Sequence, residues 1–273
     1  MRPIRETIPV EEAKALALEA SAPIDRVERV SISEADARVL ALSVVSSVDV
    51  PPFDRAAMDG YAVLAGDTFG AGRNDPKLLR SIQTTYSGDA AARRISAGEC
   101  VEIATGAPIP DGADAVVMVE ETEKTADGIR VFTPVYPGQH VGRRATDIAK
   151  GQPVVAAGAV LTAARIGALA AIGTTAVEVF ARPHVTIVST GNELVEVGRP
   201  LGPGQIYDIN RFTLSSIVRS HGGIPVTLAT VSDELDALVE AIRAAASADL
   251  IIFSGGSSVG ERDLMQDALR QTG

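Results

Sequence analysis

The chain has 273 residues, 46% of them hydrophobic and only 4% aromatic, with a formal net charge of −10. That length favours two or three domains, with cores built mainly from Ala, Val, Ile and Leu. A binder of phosphate backbones needs clustered Lys and Arg, and a membrane span needs about 18 consecutive apolar residues; the sequence has neither, so nucleic-acid and membrane roles are set aside and a cytoplasmic protein is expected.

Residues 10–20 repeat small apolar side chains at helical spacing and carry Glu11 and Glu12 where a first turn favours negative charge, predicting a helix. Residues 33–45 predict a second, with Ser33 as cap, Asp36 three residues on, and Ala37, Leu40 and Ala41 on one face. Residues 44–50 then turn extended.

From 51 to about 137 the texture becomes short β-like runs separated by Gly, Pro and Asp. Residues 51–63, PPFDRAAMDGYAV, deliver Asp54 and Asp59 on a proline-punctuated turn closed by Gly60. Strands are expected over 100–104, 115–119 and 129–132, with turn signals at Pro110-Asp111-Gly112 and a hairpin signal at Asp127-Gly128. In TGAPIP, residues 105–110, the Thr105 hydroxyl is fixed in a Pro-bounded turn that serves either a ligand or the turn itself. The single cysteine, Cys100, rules out an internal disulfide framework and reads as a packed thiol. The three histidines, His140, His184 and His221, lack the short spacings of a zinc site.

Residues 138–152, GQHVGRRATDIAKGQ, set Arg143, Arg144 and Lys150 around Asp147, a patch that suits an anion contact or a surface ion pair. An Ala-rich helix follows over 162–172, with Thr162 as cap and Gly173 past its end. Helical signals thus flank the β region. The domain reading is an extended helical and linker domain of residues 1–50 and 141–181 with a small β domain of residues 51–140 inserted in it.

Residues 182–273 alternate strand and helix: strands at 184–189, 224–230 and 250–253, helices at 210–220, 234–246 and 262–271. Three β-α units in a row imply a mainly parallel sheet in a three-layer α/β domain that is incomplete. The fold class is therefore multidomain, α+β followed by α/β. The third strand runs into SGGSSVG, residues 254–260, and then a helix. Gly255 and Gly256 permit close approach, and Ser254, Ser257 and Ser258 add donors; the segment is either an anion cradle or an ordinary β-α turn.

Residues 182–273 hold 7 Arg and no Lys against 11 Asp plus Glu, a balance of 7 − 11 = −4. An acidic wall repels an anion by roughly 1 to 4 kcal/mol per charge pair at about 4 Å, and Mg²⁺ would reverse the sign. Carboxylates beside glycine or turn residues are Asp59, Asp147, Glu193, Asp233 and Asp263. Glu193 and Asp263 fall at the carboxyl edge of the expected sheet, where open α/β folds bind ligands.

PPFDRAAMDGYAV, ATGAPIPDGADAVVMVEET, STGNELVEVG, GQIYDINR and SGGSSVGERD together, in that order, resemble the molybdopterin molybdenumtransferases, which include the E domain of gephyrin. The resemblance implies the last step of molybdenum cofactor synthesis: molybdate is inserted into adenylylated molybdopterin, with Mg²⁺ required and AMP released. It implies catalytic roles for Asp59, Thr105, Asp147 and Glu193, and substrate contacts from Ser254, Gly255, Gly256, Ser258, Asp233 and Arg144. Asp233 and Asp263 would hold the magnesium. It also implies a homodimer and a pathway contact with the molybdopterin adenylyltransferase.

Three departures stand out. Gly142 and Ala145 occupy positions where the family usually has Arg and Gly, and Leu264 replaces a commonly aromatic residue. The family's Lys-Pro-Gly segment, Pro-Gly-Asn-Pro turn and small C-terminal β domain do not appear, so a C-terminally truncated chain or shortened product is expected. The alternatives are a catalytically impaired module that binds the pterin nucleotide or acts as a scaffold, and an adenylyltransferase of the same pathway, against which the MDGYAV stretch argues.

Overall fold

The computed structural model describes residues 8–255 and 264–272. The chain is mixed α and β and divides into two compact units, one of residues 42–176 and the other of residues 1–41 with 177–273.

The unit of residues 42–176 is built on a six-stranded sheet in the order Ala115–Met118, Gly60–Val63, Glu99–Ile103, Lys77–Thr85, Gly128–Val131, Thr122–Thr125. All pairs are antiparallel except Lys77–Thr85 with Glu99–Ile103, which is parallel and bulged between Ser81 and Gln83. Gly60–Val63 lies between two partners and is buried along its whole length. Alternation explains this: Tyr61 and Val63 join Leu79, Cys100, Val117 and Ile129 on one face, while Ala62 joins Val101, Ile103 and Val116 on the other. The hairpin at residues 122–131 forms with Ala126 and Asp127 between the paired Thr125 and Gly128, one residue ahead of the expected turn.

Two short ribbons, Arg55–Ala56 with Val141–Gly142 and Val44–Val45 with Pro153–Val155, connect the sheet to helix Ala163–Ala171. Thr162 caps that helix, its hydroxyl accepting from the Arg165 N–H at 3.5 Å, and Gly173 beyond the end sits at φ 78°.

In the other unit, helix Val10–Glu19 buries none of its residues, and strand Val27–Ser31 pairs with Ala176–Phe180. The helix expected over 33–45 does not form. A single 3-10 turn spans Ile32–Glu34, and Ala37 takes φ 57°, which ends it. Tertiary pairing outweighs helix propensity there: Leu40 is fully buried and bridges Val179, and the Ala41 N–H donates to the Glu178 carbonyl at 2.8 Å. Arg38, also buried, pairs with Glu28 and donates to the Phe180 carbonyl at 2.8 Å.

The same unit holds the parallel sheet, Ile224–Thr227, His184–Ser189, Leu250–Ser254, with His184–Ser189 central. Neighbouring residues of the third strand face opposite ways. Ile252 packs with Val185, Ile187, Leu214 and Val218, placing helix Asn210–Ser220 on one face. Phe253 packs with Leu238, Ile242 and Ala268, placing helices Leu235–Ala244 and Leu264–Thr272 on the other. Among the described residues no helix is long and apolar enough to cross a membrane.

Candidate functional site

Each unit carries a polar locus. In the β unit it begins at Asp59, the residue before strand Gly60–Val63. The Asp59 Oδ1 accepts both the Thr105 backbone N–H and the Thr105 hydroxyl, each at 2.7 Å, so the TGAPIP turn is tied to the MDGYAV strand. These bonds, the backbone one foremost, hold Asp59 below the usual carboxylate range. Beside it opens a hollow of about 240 Å³ lined in part by Tyr61, Thr84, Tyr86 and Glu102. Burial, then the Glu102 charge, pushes the Tyr61 phenol up, so it stays a neutral donor.

The basic stretch resolves into ion pairs with acids other than Asp147. Arg143 donates to Asp54 at 2.7 Å, and the Arg144 backbone N–H donates to the other Asp54 oxygen at 2.8 Å. The Arg144 guanidinium engages Asp49, which also accepts the Lys150 backbone N–H at 2.7 Å. Asp147 is 57% exposed, with Arg55 at 4.0 Å as its cation. Sequence reasoning missed Asp49; a lone acid in an extended segment gives no local sign of a partner 95 residues away.

The second locus is the carboxyl edge of the parallel sheet. Its strand ends are laced together: the Thr190 N–H donates to the Ser254 carbonyl, the Gly191 N–H to Val231, and the Val231 N–H to Ser189. Gly255, at φ 109°, lies so close that a Cβ there would fall 2.3 Å from the Thr190 carbonyl oxygen, which only glycine tolerates. The Ser254 hydroxyl accepts from the Asn210 amide at 2.7 Å. Glu193 folds back over Gly191, its carboxylate 2.7 Å from where a Cβ of that glycine would stand. Asp233 is exposed two residues past Val231, which bridges Thr190. Gly256, Ser258 and Asp263 lie outside the described residues.

This edge also contains residues that sequence reasoning did not single out. Asp208, 3% exposed, uses Oδ1 to accept the Arg211 N–H at 3.0 Å, while its buried Oδ2 has no partner among the described residues. The hydroxyls of Ser189 and Thr190 are likewise buried, with no partner among the described residues. Such groups cost roughly 1–3 kcal/mol each unless water or a ligand satisfies them. The signal was present in GQIYDINR, where Asp208 stands as an acid just ahead of a helix.

A parallel sheet with helices on both faces and hydroxyls, amide and acids gathered at its carboxyl edge is the arrangement in which open α/β folds bind ligands. Residues 8–173 match the family model described as MoeA N-terminal region (domain I and II), and residues 186–273 match that described as "Probable molybdopterin binding domain". The chain belongs to the molybdopterin molybdenumtransferase family. It is 39% identical to Molybdopterin molybdenumtransferase 2 of Mycobacterium tuberculosis, over 88% of this chain and 59% of that protein. It is 38% identical to the Molybdopterin molybdenumtransferase of a Nostoc species, over 90% and 57% respectively. The crystal structure of a molybdopterin biosynthesis protein from Pyrococcus horikoshii superposes with a TM-score of 0.84 at 35% identity, covering 97% of this chain and 67% of that one. The chain thus spans about three fifths of the length of these curated relatives.

Proposed function

We propose that the chain acts in the last step of molybdenum cofactor synthesis, in which molybdate is inserted into adenylylated molybdopterin and AMP is released. The observation that carries this reading is the carboxyl edge of the parallel sheet, where three buried polar oxygens, on Ser189, Thr190 and Asp208, have no hydrogen-bond partner among the described residues. Ser254 and Gly255, with Gly256 and Ser258, would take the pterin nucleotide, and Asp233 would border it; Arg144 would reach an anionic group by exchanging Asp49 for it.

Magnesium would enter as an ion completed by the substrate. Among the described residues no three His, Cys, Asp or Glu converge, whereas Mg²⁺ commonly takes one or two carboxylates plus phosphate oxygens. Asp233 and Asp263 would hold it, and when bound it would offset the charge of the phosphates. Asp59, kept ionised by Thr105, would orient a polar group of the substrate, with Asp147 and Glu193 in supporting catalytic roles. The three-part division at residues 51–140 and 182–273, the homodimer, a contact with the adenylyltransferase and a cytoplasmic location belong to the same proposal.

The test is AMP release by the purified chain given adenylylated molybdopterin, molybdate and Mg²⁺. Turnover that falls at least tenfold in Asp59→Asn, with the nucleotide still bound, supports the reading. Binding of the nucleotide without turnover leaves a binding module, and no binding at all overturns both.

A further inference from the structure

The α/β unit also contains a cationic groove, which adjoins the polar edge at Asp208 and Val231. Two adjoining hollows of about 570 and 330 Å³ share Arg211 and Glu196 in their walls; Arg199 and Thr230 line the first, Arg219 and Thr227 the second. Three of the 7 arginines in residues 182–273 meet there with one acid, a local balance of 3 − 1 = +2 in a segment whose own balance is −4. The acid is already engaged, since Glu196 lies 3.6 Å from Arg199.

Arg211 is the informative residue. It stands in the first turn of helix Asn210–Ser220, is half-buried, and donates to the Thr227 hydroxyl at 3.0 Å at the end of the edge strand. That bond fixes the guanidinium fork. No carboxylate pairs with it among the described residues, nor with Arg219. Asp208 takes the Arg211 backbone N–H and makes no ion pair with the guanidinium, whose remaining N–H groups match two oxygens of a tetrahedral anion. A concave wall with excess positive charge also raises the local anion concentration.

We propose that this groove binds a tetrahedral dianion, a phosphate group or a free oxyanion of the same shape, with Arg211 as the bidentate contact, Arg219 as the second charge and the Thr230 hydroxyl as a further donor. The site does not depend on the transferase reading, because binding of the anion alone reads it out.

Titration calorimetry of the full chain with inorganic phosphate, molybdate and AMP is the experiment. Saturable phosphate binding weakened at least tenfold in Arg211→Gln, severalfold in Arg219→Gln and unchanged in the surface variant Arg243→Gln supports the site; Arg211→Lys should fall between wild type and Arg211→Gln, retaining charge without the fork. AMP bound more tightly than phosphate with the same dependence on Arg211 assigns the source to a nucleotide, and molybdate equal to phosphate assigns it to the free oxyanion. Phosphate affinity untouched in both Arg211→Gln and Arg219→Gln, or lost equally in Arg243→Gln, overturns the proposal; Arg219 is exposed, so its variant remains informative should Arg211→Gln misfold.

Discussion

At the scale of single residues, Ala145 shows how a departure from a family pattern becomes a physical quantity. It takes φ 61°, the left-handed region, with its N–H donating to the Pro51 carbonyl at 3.0 Å, so the turn keeps a glycine's geometry without a glycine. A side chain there costs about 1–2 kcal/mol, while glycine returns roughly 0.5–1 kcal/mol of that through the greater freedom of the unfolded chain. Ala145→Gly should therefore raise stability by a few tenths to about 1 kcal/mol in a urea titration; a loss would mean that the turn is not under strain. Cys100 gives a second test. The thiol is 0% exposed, and burial followed by the Glu102 charge pushes it up to about 12. Reactivity follows the thiolate, so Ellman's reagent at pH 8 should leave the native thiol untouched and titrate one equivalent after denaturation. The packed reading of Cys100 was available from its alternating strand, whereas the strain at Ala145 needed the backbone angle.

At the scale of elements, close approach between strands is the feature that sequence patterns convey least well. Gly60 closes the turn that presents Asp59, yet its φ is unremarkable; what demands glycine is the Val117 carbonyl oxygen, 1.9 Å from where a Cβ would lie. Gly60→Ala must displace backbone in a strand hydrogen-bonded on both sides, at a cost of about 1–3 kcal/mol or more, and calorimetry should show a melting temperature lowered by several degrees. An unchanged transition would mean that Gly60–Val63 is not held between its two neighbours. Strong local signals did carry through: the 162–172 helix with its Thr162 cap, and the strand at 184–189, both match the structure within a residue. The 33–45 region failed because its apolar spacing serves a fully buried Leu40 in an extended segment beside Ala176–Phe180, a partner that no local window contains. The site divides along the same line. Asp59 and Thr105 were each visible, but their joining across 46 residues, and the partnership of Arg144 with Asp49 across 95, depend on chain crossing.

At the scale of the whole molecule, acid stability follows from where carboxylates are held ionised. Asp49, Asp54, Asp59, Glu99 and Asp249 all lie below their usual range, each through hydrogen bonds to backbone or guanidinium donors. Asp249 is shifted furthest: Arg26 grips it with two bonds of 2.7 Å from 223 residues away, and the His184 N–H adds a third at 2.8 Å. Because its folded pKa is depressed, the unfolded state, titrating near 3.9, binds the proton first as pH falls. The contribution is complete above that value and disappears as pH drops through the folded one. Stability should therefore be flat near neutrality and decline steeply below about pH 4. In Asp249→Asn the titrating group is gone, so the neutral plateau should be lower and the decline between about pH 4 and pH 2 shallower, measured as denaturation midpoints across that range. A plateau and slope both equal to wild type would show that the Arg26 pair, despite its two bonds, is matched by equivalent contacts with water.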